Sequence, residues 1–297
     1  MAQHLKLGQK INWENKLINL KSFEHPAPPK SSPLPSHLHY IGGVVGCTGQ
    51  GKTNFLINLI QEIVKAKLFN KIIVISDTAF KDDDIGGLRS EGKWALVEKD
   101  IHEIHQHYSH AVMDEIIKNQ REDIKKYKKY LDLKKAYSLA MAGKTLKPNQ
   151  LIMLDEIDFD ESRIVNPNES GMQYYPTMCL VFDDVGYDIK PTDLKFHTRI
   201  GKIRHYNSSI FQAVQYINQL ARMIRTNLNI IFIWKTANKA YMKDIYEQFA
   251  ACDMLFETFE DMFELLEYRH EFITIDATAD EKHKYRLNFN HFIEVTK

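Results

Sequence analysis

Short apolar runs, each closed by glycine or polar residues, recur along this chain. HYIGGVVG (39–46) opens the series and ends in glycines, and KIIVIS (71–76) follows. Three more come close together: Met178–Phe182, Ser209–Val214 and Asn229–Trp234. They are β-branched or aromatic and do not alternate with polar residues, which predicts strands buried on both faces. Between the first two, Phe55, Leu56, Leu59, Ile60, Ile63 and Val64 recur at helical spacing and predict an amphipathic helix over 52–67. Strand, turn, helix, strand is the pattern of an α/β fold with a mainly parallel central sheet flanked by helices.

The rest of the chain is arranged around that core. Residues 1–38 are polar and rich in proline, with Pro26, Pro28, Pro29, Pro33 and Pro35 near their end, and predict an extended lead-in. The domain then runs over 39–297. Residues 77–175 interrupt the strand pattern and predict a largely helical or irregular insertion, with a Lys-rich helix over about 111–140. The 253–267 stretch carries six acids among Met254, Leu255, Phe256, Phe259, Met262, Phe263 and Leu266, and predicts an amphipathic helix packed on the core. Glu271–Asp276 and Tyr285–Phe289 predict a terminal hairpin. No internal repeat is evident.

GCTGQGKT (46–53) matches GxxxxGK[ST] at every fixed position, directly between the first strand and the first helix. Gly46 lets the chain turn out of its strand, while Gly49 and Gly51 let backbone N–H groups approach phosphate oxygens. Those groups run on through Cys47, Thr48, Gln50 and Asn54 into a helix N-terminus, which favours an anion. Lys52 would reach the β- and γ-phosphates and Thr53 would place its hydroxyl on Mg²⁺. ATP with Mg²⁺ is the ligand this motif predicts. Cys47 reads as a small filler residue, not a nucleophile.

Such a loop needs a carboxylate at a strand end for the Mg²⁺ shell and a second carboxylate to polarise water. Two places offer a pair: LIMLDE, ending in Asp155 and Glu156, and CLVFDD, ending in Asp183 and Asp184. The first runs on into Asp158, Asp160 and Glu161, as an acidic surface segment does. The second is followed by two further strands, as adjacent parallel strands are, so Asp183 and Asp184 are favoured. Ser208–Gln215 ends in a polar residue at the carboxyl edge, where Gln215 can orient water or sense the γ-phosphate. Arg199, Arg204, Arg222 and Arg225 are candidates for an arginine donated by a neighbouring subunit.

The order GxxxxGKT, LVFDD, RHYNSSIFQAVQ, LARMIRTN, IIFIW and FITID resembles the poxvirus-type genome-packaging ATPases of large DNA viruses and virophages, within the FtsK/HerA superfamily. The resemblance covers 39–290 apart from much of 77–175, and it implies a RecA/FtsK-like P-loop NTPase. It implies Lys52 and Thr53 as the loop pair, Asp183 as the Mg²⁺-shell acid and Asp184 as the water-activating acid. Gln215 takes the sensor position and Arg204 the arginine-finger position. Asp184 stands where the superfamily usually has Glu and is one methylene shorter. The implied function is ATP-driven movement of double-stranded DNA into a capsid by a ring of subunits, a pentamer or hexamer, with capsid or vertex proteins as further partners. Its implied place is the host cytoplasm, a viral factory or the virion. A HerA-like translocase in repair or conjugation shares these motifs, and a non-motor nucleotide-binding scaffold shares the loop. A small-molecule kinase would have an Arg-rich lid, which is not evident.

Composition narrows the picture less than the motifs do. Lys+Arg and Asp+Glu are 39 each among 297 residues, and 44% of residues are hydrophobic, which excludes a disordered tail and a fibrous repeat. Cys47, Cys179 and Cys252 are odd in number and form no CxxC, so neither a disulfide framework nor a zinc ribbon is expected. The polar N-terminus lacks a secretory apolar region and no run is long enough to span a membrane, which points to a soluble, reducing compartment. The zero balance hides division, with a net +5 over 201–250 and −6 over 251–297. Lys118–Lys135 carries a net +5, which suits either a solvated helix or contact with DNA phosphates. His102, His105, His107 and His110 form a dense cluster, read as a solvated helix or, less readily, a metal site.

Overall fold

The structure is a computed structural model that describes residues 28, 34–35, 38–77, 93–168, 172–185, 189–190, 192–220, 222–289 and 291–295. Most of the predicted lead-in, 1–38, lies outside the described residues. The chain opens with β1 (Ile41–Val45), α1 (Lys52–Lys65) and β2 (Lys71–Ser76). Next come β3 (Glu103–His105), α2 (His110–Met141), α3 (Pro148–Asp155) and β4 (Met178–Asp183). They are followed by α4 (Leu194–Gly201), β5 (Ser208–Val214), α5 (Arg222–Arg225), β6 (Ile230–Trp234) and α6 (Lys239–Phe249). The chain closes with α7 (Phe256–Glu264), β7 (Phe272–Asp276), β8 (Tyr285–Leu287) and β9 (His291–Phe292).

The sheet order is β3-β2-β4-β5-β1-β6-β7-β8-β9. The pairings from β3 through to β6 are parallel, and those from β6 through to β9 are antiparallel. Every residue of β1, β4, β5, β6 and β7 is buried, which is why these strands read as unbroken apolar runs. One face carries α1, whose Phe55, Leu56, Leu59, Ile60 and Ile63 join Val44, Val74, Val181, Phe211 and Phe232 in one core cluster. On the other face, Met113, Ile116 and Ile117 of α2, Phe196 and Ile200 of α4 and Phe259 and Phe263 of α7 join a second cluster with Leu180, Phe182, Ile210 and Ile231.

Gly42, in central β1, leaves room for Phe211 of β5. A Cβ there would overlap the Phe211 ring, well inside van der Waals contact. Gly42→Ala should therefore overpack the centre of the sheet and cost about 1–3 kcal/mol. A urea-unfolding midpoint equal to that of the wild type would show that Phe211 can move aside.

The structure departs from the sequence pattern in four places. First, β1 lies between β5 and β6, so the three strands expected side by side are split, with β4 and β5 paired and β6 beyond β1. Second, the 77–175 segment is not wholly an insertion, because β3 joins the sheet edge beside β2. Its helical part is a hairpin, with Leu133 and Ala136 of α2 against Leu154. Third, LIML is helical, not a strand: Pro148 occupies the first turn, Gln150 Oε1 accepts from Lys147 N at 2.9 Å, and only Leu154 of α3 is buried. Fourth, the terminal hairpin gains a third strand, β9.

Candidate functional site

The parallel strands bring their carboxyl ends to one edge of the sheet. Val45 is in register with Val214, Phe182 with Gln212, and Gly46 N donates to Val214 O at 3.1 Å. Gly46, Gln215 and Asp183 therefore share the edge where ligands of open α/β sheets bind. The strand bearing Gln215 lies between the loop strand and the acidic strand.

The loop from Gly46 to Thr53 is preshaped. Gly49 and Gly51 have φ of +80° and +99°, a left-handed region costly for any side chain bearing a Cβ. Gln50 braces it, with Oε1 accepting from Cys47 N and Nε2 donating to Lys235 O at 2.8 Å. Lys52 Nζ folds back to donate to the carbonyls of Gly46 (2.8 Å) and Cys47 (3.2 Å). Thr53 Oγ1 donates to Asp183 Oδ2 at 2.9 Å across 130 residues of sequence. Both side chains are buried, and a hydroxyl beside a carboxylate is the hard oxygen set that Mg²⁺ prefers. The residues present thus fit the ion and the phosphates that the motif predicts. Thr48 and Asn54 are exposed on the loop and the first turn of α1.

Asp184 follows Asp183 directly, is exposed, and leaves the strand with φ of +56°, a conformation Asp tolerates better than most residues. Gln215 is half-buried, its N–H held by Gln219 Oε1 at 2.8 Å, and it borders a small cavity with Gly46, Cys47 and Gln50. Asp155 and Glu156 stand elsewhere, at the end of α3, where Glu156 Oε2 accepts from Lys129 Nζ at 2.9 Å.

The four arginines part company. Arg199 is largely buried and engaged, with Asp114 at 2.6 Å and His110 Nδ1 at 2.7 Å. Beside it Tyr108 is pushed up to about 12, mainly by burial. Arg225 donates to Asn218 Oδ1 at 3.0 Å. Arg204 and Arg222 have no side-chain hydrogen bond or ion pair among the described residues. Arg204 is exposed in a turn before β5, whereas Gln215 follows that strand's other end. Seven strand residues separate the two edges by about 23 Å. The structure does not bring Arg204 to its own chain's loop.

The histidine cluster is not one helix. β3 ends at His105 and α2 begins at His110, capped by Ser109, so the four side chains disperse. His102 Nδ1 lies 3.2 Å from Ile72 N, and His105 pairs with Glu103. His107 pairs with Asp77, and His110 pairs with Asp193. Among the described residues no group of His, Cys, Asp or Glu is arranged to hold a metal. The Lys-rich helix is α2, whose Asp123 pairs with Lys126 on the same helix and with Lys71 of β2. Lys118, Arg121 and Lys125 line a pocket with Arg199 and Tyr206.

Two residues absent from the sequence reading stand over the loop: Arg269 and His270, in the turn before β7. A Cβ on Gly49 would lie 2.8 Å from Arg269 Nη2, and His270 Nδ1 is 3.0 Å from Gln50 O. Nothing in their spacing marks them, because the contact joins positions 220 residues apart.

A glycine-rich loop running from a central strand into a buried helix, with a Gln-ended strand between it and the acidic strand, is the arrangement of a P-loop NTPase fold. No family model matches the sequence, and no curated protein does. Among solved structures, the chain is similar to the genome packaging NTPase B204 of Sulfolobus turreted icosahedral virus 2 in complex with AMP. The TM-score is 0.48 at 11% identity, over 84% of this chain and 96% of that one. It is similar to B204, the DNA-packaging ATPase of Sulfolobus turreted icosahedral virus, with TM-score 0.48 and 11% identity over 84% and 98%. It is also similar to the pCW3 conjugation coupling protein TcpA, with TM-score 0.40 and 11% identity over 78% and 56%. These are likenesses of fold at low identity. No described helix is long and apolar enough to cross a membrane.

Proposed function

We propose that this chain is a Mg²⁺-dependent ATPase that drives double-stranded DNA into a capsid as a homo-oligomeric ring. The observation that carries the ATPase reading is the Thr53–Asp183 hydrogen bond of 2.9 Å, on one edge with Lys52 and Gln215. Thr53 and Asp183 would hold Mg²⁺, which when bound neutralises charge between the β- and γ-phosphates. Lys52 turns from the loop carbonyls to those phosphates. Asp184 accepts a proton from the attacking water, and Gln215 orients that water.

The motor reading rests on the motif order from the loop to FITID and is supported by the placement of Arg204. An exposed arginine with no side-chain partner among the described residues, at the edge away from its own loop, suits use by a neighbouring copy. The basic face of α2 offers a sequence-independent grip on DNA phosphates.

The test is ATP turnover with and without double-stranded DNA, for the wild type, Asp184→Asn and Arg204→Ala. DNA should stimulate the wild type, and both variants should fall to background. Adding subunits that carry Lys52→Ala but keep Arg204 should partly restore Arg204→Ala. Near-zero turnover in every sample would leave a nucleotide-binding assembly scaffold in place of a motor.

A further inference from the structure

We propose that Arg269 is an in-cis phosphate-binding residue, part of a turn that clamps the nucleotide against its own loop. The proposal rests on the phosphate-loop reading of 46–53 and extends it to residues no motif contains.

Residues 265–271 connect α7 to β7. Their shape is held from within, since Glu271 Oε2 accepts from Glu267 N (2.8 Å) and Tyr268 N (2.9 Å), and Glu271 N donates to Tyr268 O at 3.1 Å. They are also tied to the loop's own supports. Trp234 Nε1, at the end of β6, donates to His270 O at 3.2 Å, and the next residue, Lys235, gives its carbonyl to Gln50 Nε2. His270 Nδ1 then meets Gln50 O at 3.0 Å, and because a carbonyl can only accept, this nitrogen carries the hydrogen. Loop and turn thus share one scaffold, and the turn's place above the loop is set before any ligand arrives.

Arg269 is what this scaffold presents. Its Nη2 stands 2.8 Å from where a Cβ of Gly49 would be, so the missing side chain is the space the guanidinium uses. The side chain is exposed and has no hydrogen bond or ion pair among the described residues. Glu271, two residues on, already spends one carboxylate oxygen on the turn's amides. A guanidinium without an acid, beside a loop whose amides favour an anion, is a donor fork matched to phosphate oxygens. Past His270 a groove of about 690 Å³ continues along α1, lined by Asn54, Asn58, Asn288 and Phe289. Carboxamides and an aromatic face there suit the nucleoside of a ligand whose phosphates lie under Arg269.

The experiment measures equilibrium binding by calorimetry, without turnover, of ATP and of inorganic tripolyphosphate with Mg²⁺. The proteins are the wild type, Arg269→Ala and Arg269→Lys, each first shown to keep the wild-type melting temperature. Arg269→Ala should bind both ligands about tenfold more weakly, and Arg269→Lys should recover part of the loss. The loss should not change with protein concentration, since the contact is within one chain. If the wild type binds ATP and Arg269→Ala binds it equally well, the proposal falls and the phosphate loop stands. A loss confined to ATP, with tripolyphosphate unchanged, would overturn it by moving Arg269 to the nucleoside. If the wild type binds neither ligand, the phosphate-loop reading falls too.

Discussion

Lys52→Ala should lower ATP turnover by about 10²–10³-fold or more while leaving the fold intact. Lys52 Nζ lies buried over the loop, donating to Gly46 O at 2.8 Å and Cys47 O at 3.2 Å. Both acceptors belong to the loop that would receive phosphate, so the ammonium is poised to exchange carbonyls for phosphate oxygens without rebuilding its surroundings. Removing it takes one full positive charge from the place where charge develops in the transition state. Of the two carbonyls it leaves, that of Cys47 lies on the exposed part of the loop, where water replaces the lost donor, and that of Gly46 is buried, so melting temperature should fall only modestly. Turnover within about threefold of the wild type, in protein of normal melting temperature, would remove Lys52 from the chemistry.

Asp276→Ala should destabilise the protein by about 3–5 kcal/mol, seen as a lower urea-unfolding midpoint. Asp276 on β7 and Arg286 on β8 pair at 3.0 Å with side chains 5% and 7% exposed. Burial lowers the pKa of Arg286, and Asp276 opposes that shift, so the carboxylate is what keeps the guanidinium comfortably charged there. Asp276 Oδ1 also accepts from Thr278 N (3.0 Å) and Oγ1 (2.7 Å), fixing the turn after β7. Deleting the carboxylate strands a buried cation and frees that turn. Asp276→Leu with Arg286→Met should recover much of the loss, because two apolar side chains need no partner. If the single variants are as stable as the wild type, water reaches the pair.

Much of the sheet edge that carries the phosphate-loop motif was legible because its residues act through local sequence. Gly46, Gly49, Gly51, Lys52 and Thr53 lie in one octet, and buried parallel strands announce themselves as apolar runs. Asp183 is distinguished from Asp155 by the strands that follow it, although β1 rather than β6 is the neighbour of β5 on the side away from β4. Other features left no such trace. β3 is a three-residue half-buried edge strand with histidine at its end, so periodicity has too little to work on. Leu151–Leu154 is four apolar residues, too short to distinguish helix from strand, and Pro148 was the signal that could have decided it. Arg269 and His270 belong to the loop only through packing across 220 residues, information that neighbouring residues do not carry.

The helical hairpin gives the molecule leverage. α2 is pinned where Gln120 Nε2 donates to Pro176 O (2.7 Å) and Tyr206 O (3.0 Å), at the amino-terminal edge of β4 and β5. From there it runs on to Met141, about 30 Å of helix braced by α3. An arm of that length turns a tilt of about 10° at Gln120 into about 5 Å at its tip. The edge opposite the phosphate loop is therefore where small rotations of the sheet become movements as large as a helical turn.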